Sequence, residues 1–306
     1  RSKIYTSARG AVLADQVIYD RGYRPYDGPR TGAAGARRAV YKDGLRRVLG
    51  LGRKARYKVF PWILIAIAVV AAAGFIGVHW AGREFVGGAV VDLLPAYGEL
   101  FDFYSRISLL FIAFAGPVLL IPDRTEGVLS VYFSRPLTIN GYIAAKWAAF
   151  ATLVGGIYLV PQILLHLGLA LLSDRGFAGY MAQTSEVLWK VPVTTLGFVA
   201  MHGALVFALS AFINRTGFAA AAFFGVVVAG TPVAGRVSEA TFSGAKWFAL
   251  TDPDQHPRII RDFLFNDTVR YPAEVAGFEP WVSALIIVIT VVSAAVLVRA
   301  RYRRLA

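Results

Sequence analysis

The sequence has no cysteine among its 306 residues, and it has only two methionines. Without cysteine, the chain can form no disulfide, no thiolate nucleophile and no thiolate metal site. It also lacks a Gly-rich loop ending in Gly-Lys-Ser or Gly-Lys-Thr, the motif whose backbone cradles ATP phosphates. If nucleotide hydrolysis drives this protein, we expect the nucleotide to bind to another polypeptide.

Hydrophobic residues are abundant, at 57% of the chain with a mean hydropathy of +0.55. A water-soluble fold of this length could not bury so much apolar surface, so the excess is expected to face lipid. A bilayer core needs about 20 apolar residues per helix. The sequence therefore predicts an all-α integral membrane protein with six spans, at about residues 60–80, 104–121, 147–172, 189–212, 218–233 and 281–298.

The basic residues predict the orientation of these spans. When the predicted loops are assigned to alternate sides, 23 of the 32 Lys and Arg residues fall on the side of the two termini. Cytoplasmic loops retain positive charge during insertion, so both termini are expected to be cytoplasmic. We expect a multi-pass protein of the cell membrane, plasma or inner, with a cytoplasmic segment at 1–58 and a six-span domain at 59–306.

The formal net charge of +13 raises the question of an acidic partner. Because the positive residues follow the membrane segments, anionic lipid is the expected partner and nucleic acid is not. Residues 33–60 predict a basic amphipathic helix before the first span, with apolar residues on one side. Its predicted membrane-surface residues are Arg37, Arg38, Lys42, Arg46 and Arg47.

Carboxylates are missing from the predicted spans, and the nearest, Asp102 and Asp123, stand at the two edges of the second. Ion-coupled carriers usually hold an intramembrane carboxylate, so this class is disfavoured. His79, His166 and His202 are the titratable candidates in or near spans, and each is expected to bond a backbone carbonyl. The run DPDQH at 252–256 could hold a metal, but Pro253 within it and Pro257 directly after it favour a solvated turn. We predict no catalytic residue, no metal and no cofactor.

The loop at 122–146 reads PDRTEGVLSVYFSRPLTINGYIAAK and predicts a short surface helix from Asp123 to Ser134, ended by Pro136. Val128, Leu129, Tyr132 and Phe133 recur at helical spacing and form one apolar face. Such a helix could be pushed by a cytoplasmic partner, or it could be an ordinary loop resting on the headgroups. The residues alone favour neither interpretation.

Part of this loop resembles the E-G-x-L-x-x-x-x-S-R-P pattern of ATP-binding-cassette (ABC) transporter permeases of the type-2 exporter class. The resemblance extends to the six-span layout and to an elbow helix ahead of the first span. It implies that the loop is a coupling helix docking into a separate ABC ATPase subunit, present in two copies. The residues to which it assigns this coupling role are Asp123, Arg124, Glu126, Gly127, Leu129, Ser134, Arg135 and Pro136.

The resemblance also implies a second permease chain, in a homodimer or a heterodimer, and transport without enzymatic activity in this chain. Two further segments carry predictions: residues 1–30 as an arm packed on the ATPase or as plain disorder, and the outer loop 236–280 as a cap containing a helix at about 257–266. A non-transport scaffold or regulatory subunit of the same topology is the alternative function. The substrate is not readable from the sequence.

Overall fold

Helices make up almost all of the regular structure in the computed structural model, which describes residue 28 and residues 31–86, 97–266 and 271–305. Those residues contain no strand, so the predicted all-α class is confirmed. The predicted arm at 1–30 lies outside the described residues, apart from Gly28. Six helices are long and apolar enough to cross a bilayer: α2 (Arg56–Val86), α3 (Tyr97–Thr125), α5 (Ile139–Leu172), α7 (Val187–Phe212), α8 (Thr216–Ser238) and α11 (Pro280–Arg303).

These six helices make the chain a multi-pass membrane protein, and each contains one of the predicted spans. Shorter helices lie between or before them. They are α1 (Gly32–Val48), α4 (Leu129–Phe133), α6 (Gly176–Gln183), a 3-10 helix (Ala245–Thr251), α9 (Gln255–Phe265) and α10 (Pro272–Val275).

The second span is longer than the sequence predicted. Helix α3 covers residues 97–125 instead of 104–121, so Asp102 and Asp123 lie within the helix and not at its edges. Apolar content alone delimits the hydrocarbon-like stretch, whereas the backbone hydrogen bonds of a helix continue until a turn interrupts them. Asp102 and Asp123 therefore belong to helix α3 but lie outside its predicted apolar stretch, and Glu84 has the same relation to α2.

The core of the bundle is built around α3, α5 and α7. In α3, 78% of the most apolar window is buried, compared with 22% in α2 and α8 and 17% in α11. Gly116 allows α3 to approach α7, because a Cβ at this position would lie 2.5 Å from Val206. Gly203 similarly makes room for the ring of Trp147. The outer helices α2, α8 and α11 leave most of their surface for lipid or for another chain.

Helix α1 packs on the bundle through Val40, Gly44 and Val48, which contact α3 and α5. It belongs to the same compact unit as the spans, Gly32–Ala306. The chain turns into α2 at Gly50, whose φ is 66° and where a Cβ would lie 2.6 Å from the carbonyl oxygen of Tyr57. Only glycine tolerates both constraints.

Small residues at four-residue spacing in α8 do not pack within the chain. Ala221, Gly225 and Ala229 are exposed, and a Cβ on Gly225 would meet no atom within 4 Å. The buried face of α8 consists instead of Ala219, Phe223, Val227 and Ala234. Packing inside the chain therefore does not account for this stripe. Stripes of this kind allow close approach between helices, so it is available to another helix.

Candidate functional site

A cluster of buried charges joins three helices at one end of the bundle. The Asp123 carboxylate, at the last turn of α3, is fully buried. Its Oδ1 accepts a hydrogen bond from Arg47 Nη1 of α1 at 2.5 Å, and its Oδ2 lies 2.7 Å from Lys146 Nζ of α5. Asp43 of α1 completes the cluster, 3.2 Å from Arg47 and 3.7 Å from Lys146. We call these four residues the ion cluster, and the end of the bundle that holds them the basic end.

The charges of the ion cluster balance, with two carboxylates facing two cations. Lys146 is as completely buried as Asp123, whereas the Asp43 side chain is 45% exposed. Burial lowers the pKa of Arg47, but attraction to Asp123 and Asp43 outweighs it and the pKa is raised. A buried charge that loses its partner is strongly destabilising, so the four residues are expected to hold α1, α3 and α5 as one unit.

Aromatic rings connect this cluster to the loop that follows α3. Tyr142 of α5 donates a hydrogen bond from its hydroxyl to Asp123 Oδ2 at 2.7 Å. Its ring contacts Tyr132 and Phe133 of α4 on one side and Tyr302 of α11 on the other, with centroids 5.6–6.0 Å apart. The short loop helix thus rests on the residue that hydrogen-bonds the buried carboxylate.

Arg124 ties the same end of α3 to the end of α7. Its guanidinium donates to the backbone carbonyls of Ser210, Ala211 and Ile213 and to the side chain of Asn214. Carbonyls in the last turn of a helix have no partner inside the helix, and a cation placed there also interacts favourably with the helix dipole. The adjacent residues Asp123 and Arg124 therefore anchor α3 to three other helices.

The predicted coupling residues separate into two groups. Asp123 and Leu129 are buried and Arg124 is half-buried, so these three face the protein. Gly127 has a φ of 70°, which ends the turn after α3 and favours glycine. The residues with exposed surface are Glu126, Gly127, Ser134, Arg135 and Pro136.

Two predictions at the basic end are wrong, one about the start of a helix and one about the position of Arg47. The loop helix α4 comprises only Leu129–Phe133, because Asp123 and Thr125 continue the hydrogen bonding of α3 and Glu126 N donates to Pro122 O at 2.9 Å. Arg47 was grouped with the membrane-surface residues, but its side chain is only 12% exposed and pairs with Asp123. The other predicted surface residues, Arg37, Arg38, Lys42 and Arg46, are exposed on α1.

The sequence analysis did not identify two members of the ion cluster, Asp43 and Lys146, or Tyr142, which hydrogen-bonds Asp123. Lys146 was counted only as a positive charge in the loop, although it lies on α5, four residues after Tyr142. A single cation about two turns into an apolar helix needs a buried counter-charge. That requirement was the one signal in the sequence that could have pointed to Asp123 as its partner.

A second set of ion pairs lies at the other end of the bundle, which we call the opposite end. Arg258 and Arg261 of α9 both pair with Asp102 of α3, the latter at 2.6 Å. Arg258 also reaches Asp254 Oδ2 at 2.9 Å, and Asp254 Oδ1 lies 3.2 Å from Nε2 of His202 in α7. Burial raises the pKa of Asp254, but His202 and Arg258 outweigh it and lower the pKa to about 2.

The sequence run at 252–256 is not the predicted solvated turn, because Asp252, Gln255 and His256 are buried. Asp252 accepts a hydrogen bond from Thr231 at 2.7 Å. The Nε2 atom of His256 lies 3.0 Å from Leu250 O, and its Nδ1 atom lies 3.1 Å from Ser283 Oγ. Burial lowers the pKa of His256, which favours the neutral imidazole. Over the described ranges, no group of three or more His, Asp or Glu residues is arranged to hold a metal.

The remaining predictions for the outer loop and the histidines are only partly met. A helix is present where one was predicted, but α9 turns Ile259, Arg261 and Asp262 inward and leaves Phe263 66% exposed. Ion pairing, not apolar content, thus selects its buried face. His166 Nδ1 contacts the hydroxyl of Tyr97 at 2.9 Å instead of a carbonyl, and His202 faces Asp254.

Comparison with known proteins gives no further identification. The chain matches no protein-family model, and no curated protein matches it.

Proposed function

We propose that this chain is the membrane-embedded permease subunit of an ATP-binding-cassette exporter of type-2 class, and that its loop 122–146 docks on a separate ATPase. The observation that carries the proposal is the division of this loop into two faces. Glu126, Ser134 and Arg135 are exposed, as contact residues must be, while Leu129 is buried against the bundle. The same residues give the loop its resemblance to the coupling helix of that class.

The contacts under the loop supply a route for mechanical coupling. Force on α4 would reach Tyr142 through the rings of Tyr132 and Phe133, and Tyr142 holds Asp123 by a 2.7 Å hydrogen bond. Asp123 in turn holds α1 and α5 through buried ion pairs. Packed cores and ion clusters shift between discrete arrangements instead of deforming continuously. A movement of the ATPase is thereby passed to three helices at once.

In this proposal the basic end faces the cytoplasm, as the positive charge of the terminal segments and of the loop predicts. A second permease chain completes the translocation path, and two ATPase subunits bind below. The exposed small-residue stripe of α8 and the poorly buried α2 offer surface for the second chain.

Charge-removing variants on the exposed face of the loop test this proposal. In Glu126→Ala and Arg135→Ala, transport and permease-dependent ATPase activity are expected to fall about tenfold, the effect of losing a docking contact worth about 1.4 kcal/mol. Membrane insertion and the thermal unfolding midpoint should stay unchanged, because both side chains are exposed. Glu239→Ala and Arg175→Ala remove the same charges from exposed positions outside the loop and serve as controls.

Wild-type coupling in both loop variants, at equal expression, would contradict the assignment of the docking face. Purification of the full-length protein with its co-expressed ATPase separates transporter from scaffold. A transporter requires stoichiometric recovery and ATP turnover that depends on the permease, whereas recovery with independent turnover would favour the scaffold.

A further inference from the structure

A groove between α5 and α11 runs from the basic end into the bundle, with α7 as its floor. Its volume is about 350 Å³, within the range of about 300–1,000 Å³ typical of ligand sites. Nine of its eleven lining residues are apolar, and four of these are alanines, whose small side chains leave the space open. The groove exists because α11 packs closely along α7 and only sparsely against α5.

Polar groups line this groove at one end only. Asn140 begins the α5 wall and Arg299 stands opposite it in the last turns of α11, whereas Trp147 and Val291 mark the apolar far end. With a rise of about 1.5 Å per residue, these walls extend about 10–12 Å, which is most of the half-thickness of a bilayer core of about 30 Å. The groove thus has the polarity and the depth of a single membrane leaflet.

Arg299 is exposed and, among the residues that the structure describes, forms no hydrogen bond or ion pair. No acidic side chain lines the groove. The neighbouring arginines differ: Arg47 pairs with Asp123, Arg124 caps α7, and Arg301 lies over the ring of Phe212. A second cation, Arg37, lies against Gly141, the residue after Asn140.

We propose that this groove binds one anionic phospholipid, with its phosphate at Arg299 and Asn140 and one acyl chain along Trp147 and Phe207. An arginine fork and an amide both donate hydrogen bonds to phosphate oxygens. The apolar walls can accommodate an acyl chain. In a bilayer the acyl chain lies deeper than its headgroup, and the polar and apolar parts of the groove follow the same order. A helix of another protein would leave Arg299 unpaired unless it carried an acid at that depth. The site is independent of the proposed ATPase partner.

Lipid retention by the purified full-length protein tests the site. In native mass spectrometry from a non-ionic detergent, phosphatidylglycerol is expected to bind about fivefold more tightly than phosphatidylcholine with the same acyl chains, the effect of one cation near an anionic headgroup. Arg299→Ala should abolish this preference and Arg299→Lys should retain most of it. Arg303→Ala, which removes an exposed arginine outside the groove, is the matched control.

A second pair of variants tests the acyl chain. Ala295→Leu places a branched side chain in the groove and should weaken binding of both lipids, whereas Ala300→Leu adds the same volume at an exposed position outside it. Equal effects of Arg299→Ala and Arg303→Ala, or of the two leucine variants, would overturn the proposal. So would competition by glycerol phosphate, which has no acyl chain, or loss of oligomer with unchanged lipid binding in Ala295→Leu. Unchanged thermal midpoints exclude misfolding as the cause.

Discussion

The two ends of the helix bundle solve the same problem, the burial of charge near a membrane, in different ways. At the basic end, Asp123 is fully buried and its partners come from two other helices, α1 and α5. At the opposite end, Asp102 remains 36% exposed and its two arginines both come from α9, a helix of the loop before α11. The first arrangement ties helices of the bundle to each other, and the second ties a loop to the bundle.

This difference implies that the basic end is rigid and that the loop at the opposite end can open. Ion pairs in water contribute little, about 0–1 kcal/mol, and are screened by salt, whereas breaking a buried pair is costly. The basic end is therefore the rigid end, suited to receive force from a docked protein. At the opposite end solvent reaches Asp102 in part, so the attachment of the loop to α3 is expected to open more readily.

The largest effect is expected from Asp123→Asn. This change leaves Arg47 and Lys146 close together with only the half-exposed Asp43 as a counter-charge. Breaking a buried ion pair from one side costs about 3–5 kcal/mol, so a large drop in the thermal unfolding midpoint in detergent is expected. Asp102→Asn, which removes a partly exposed carboxylate from the opposite end, should lower the midpoint much less. Equal losses in the two variants would contradict the distinction between the ends.

An intermediate effect is expected from acid at the opposite end. The pKa of Asp254 is about 2 in the native protein, below its ordinary value of 3.8, because His202 and Arg258 outweigh the effect of burial. Since the native state favours the ionised form, this group stabilises the fold above about pH 4 and loses that contribution as the pH falls towards 2. The amount is about 2 kcal/mol.

Unfolding midpoints measured from pH 5 to pH 2 check this prediction. The wild-type protein should lose more stability across that window than Asp254→Asn, which carries no titrating group at this position. Glu239→Gln, an exposed site, should follow the wild-type curve. Parallel curves for wild type and Asp254→Asn would show that Asp254 does not titrate as proposed.

The smallest effect is expected from Asp43→Asn, at the rim of the ion cluster. Its side chain is 45% exposed, and its distances of 3.2 Å to Arg47 and 3.7 Å to Lys146 make it a secondary partner of both. A loss of at most about 1 kcal/mol is expected, and it should shrink further in 1 M salt. A salt-insensitive loss as large as that of Asp123→Asn would place Asp43 in the buried part of the cluster.

The fold was predictable to a large extent, because hydrocarbon accepts only segments whose backbone groups are satisfied internally. Runs of apolar residues therefore identified all six helices. The helix ends were less predictable: α3 continues past Ile121 because the backbone bonding persists through Pro122, Asp123 and Arg124 into a turn closed by Gly127. The candidate site was located only roughly, since the loop was identified but its exposed and buried residues were not distinguished.

By itself, the sequence determined the helical class, the number of spans and the concentration of positive charge in the terminal segments and the loop. Each of these follows from local composition and transfer energy. Only the tertiary structure decided that Asp123, Arg47 and Lys146 meet, that Asp252, Gln255 and His256 are buried, and that Arg299 has no counter-charge among the described residues. Ion pairing between distant segments depends on which helices are neighbours, and the apolar pattern of each helix carries no record of its neighbours.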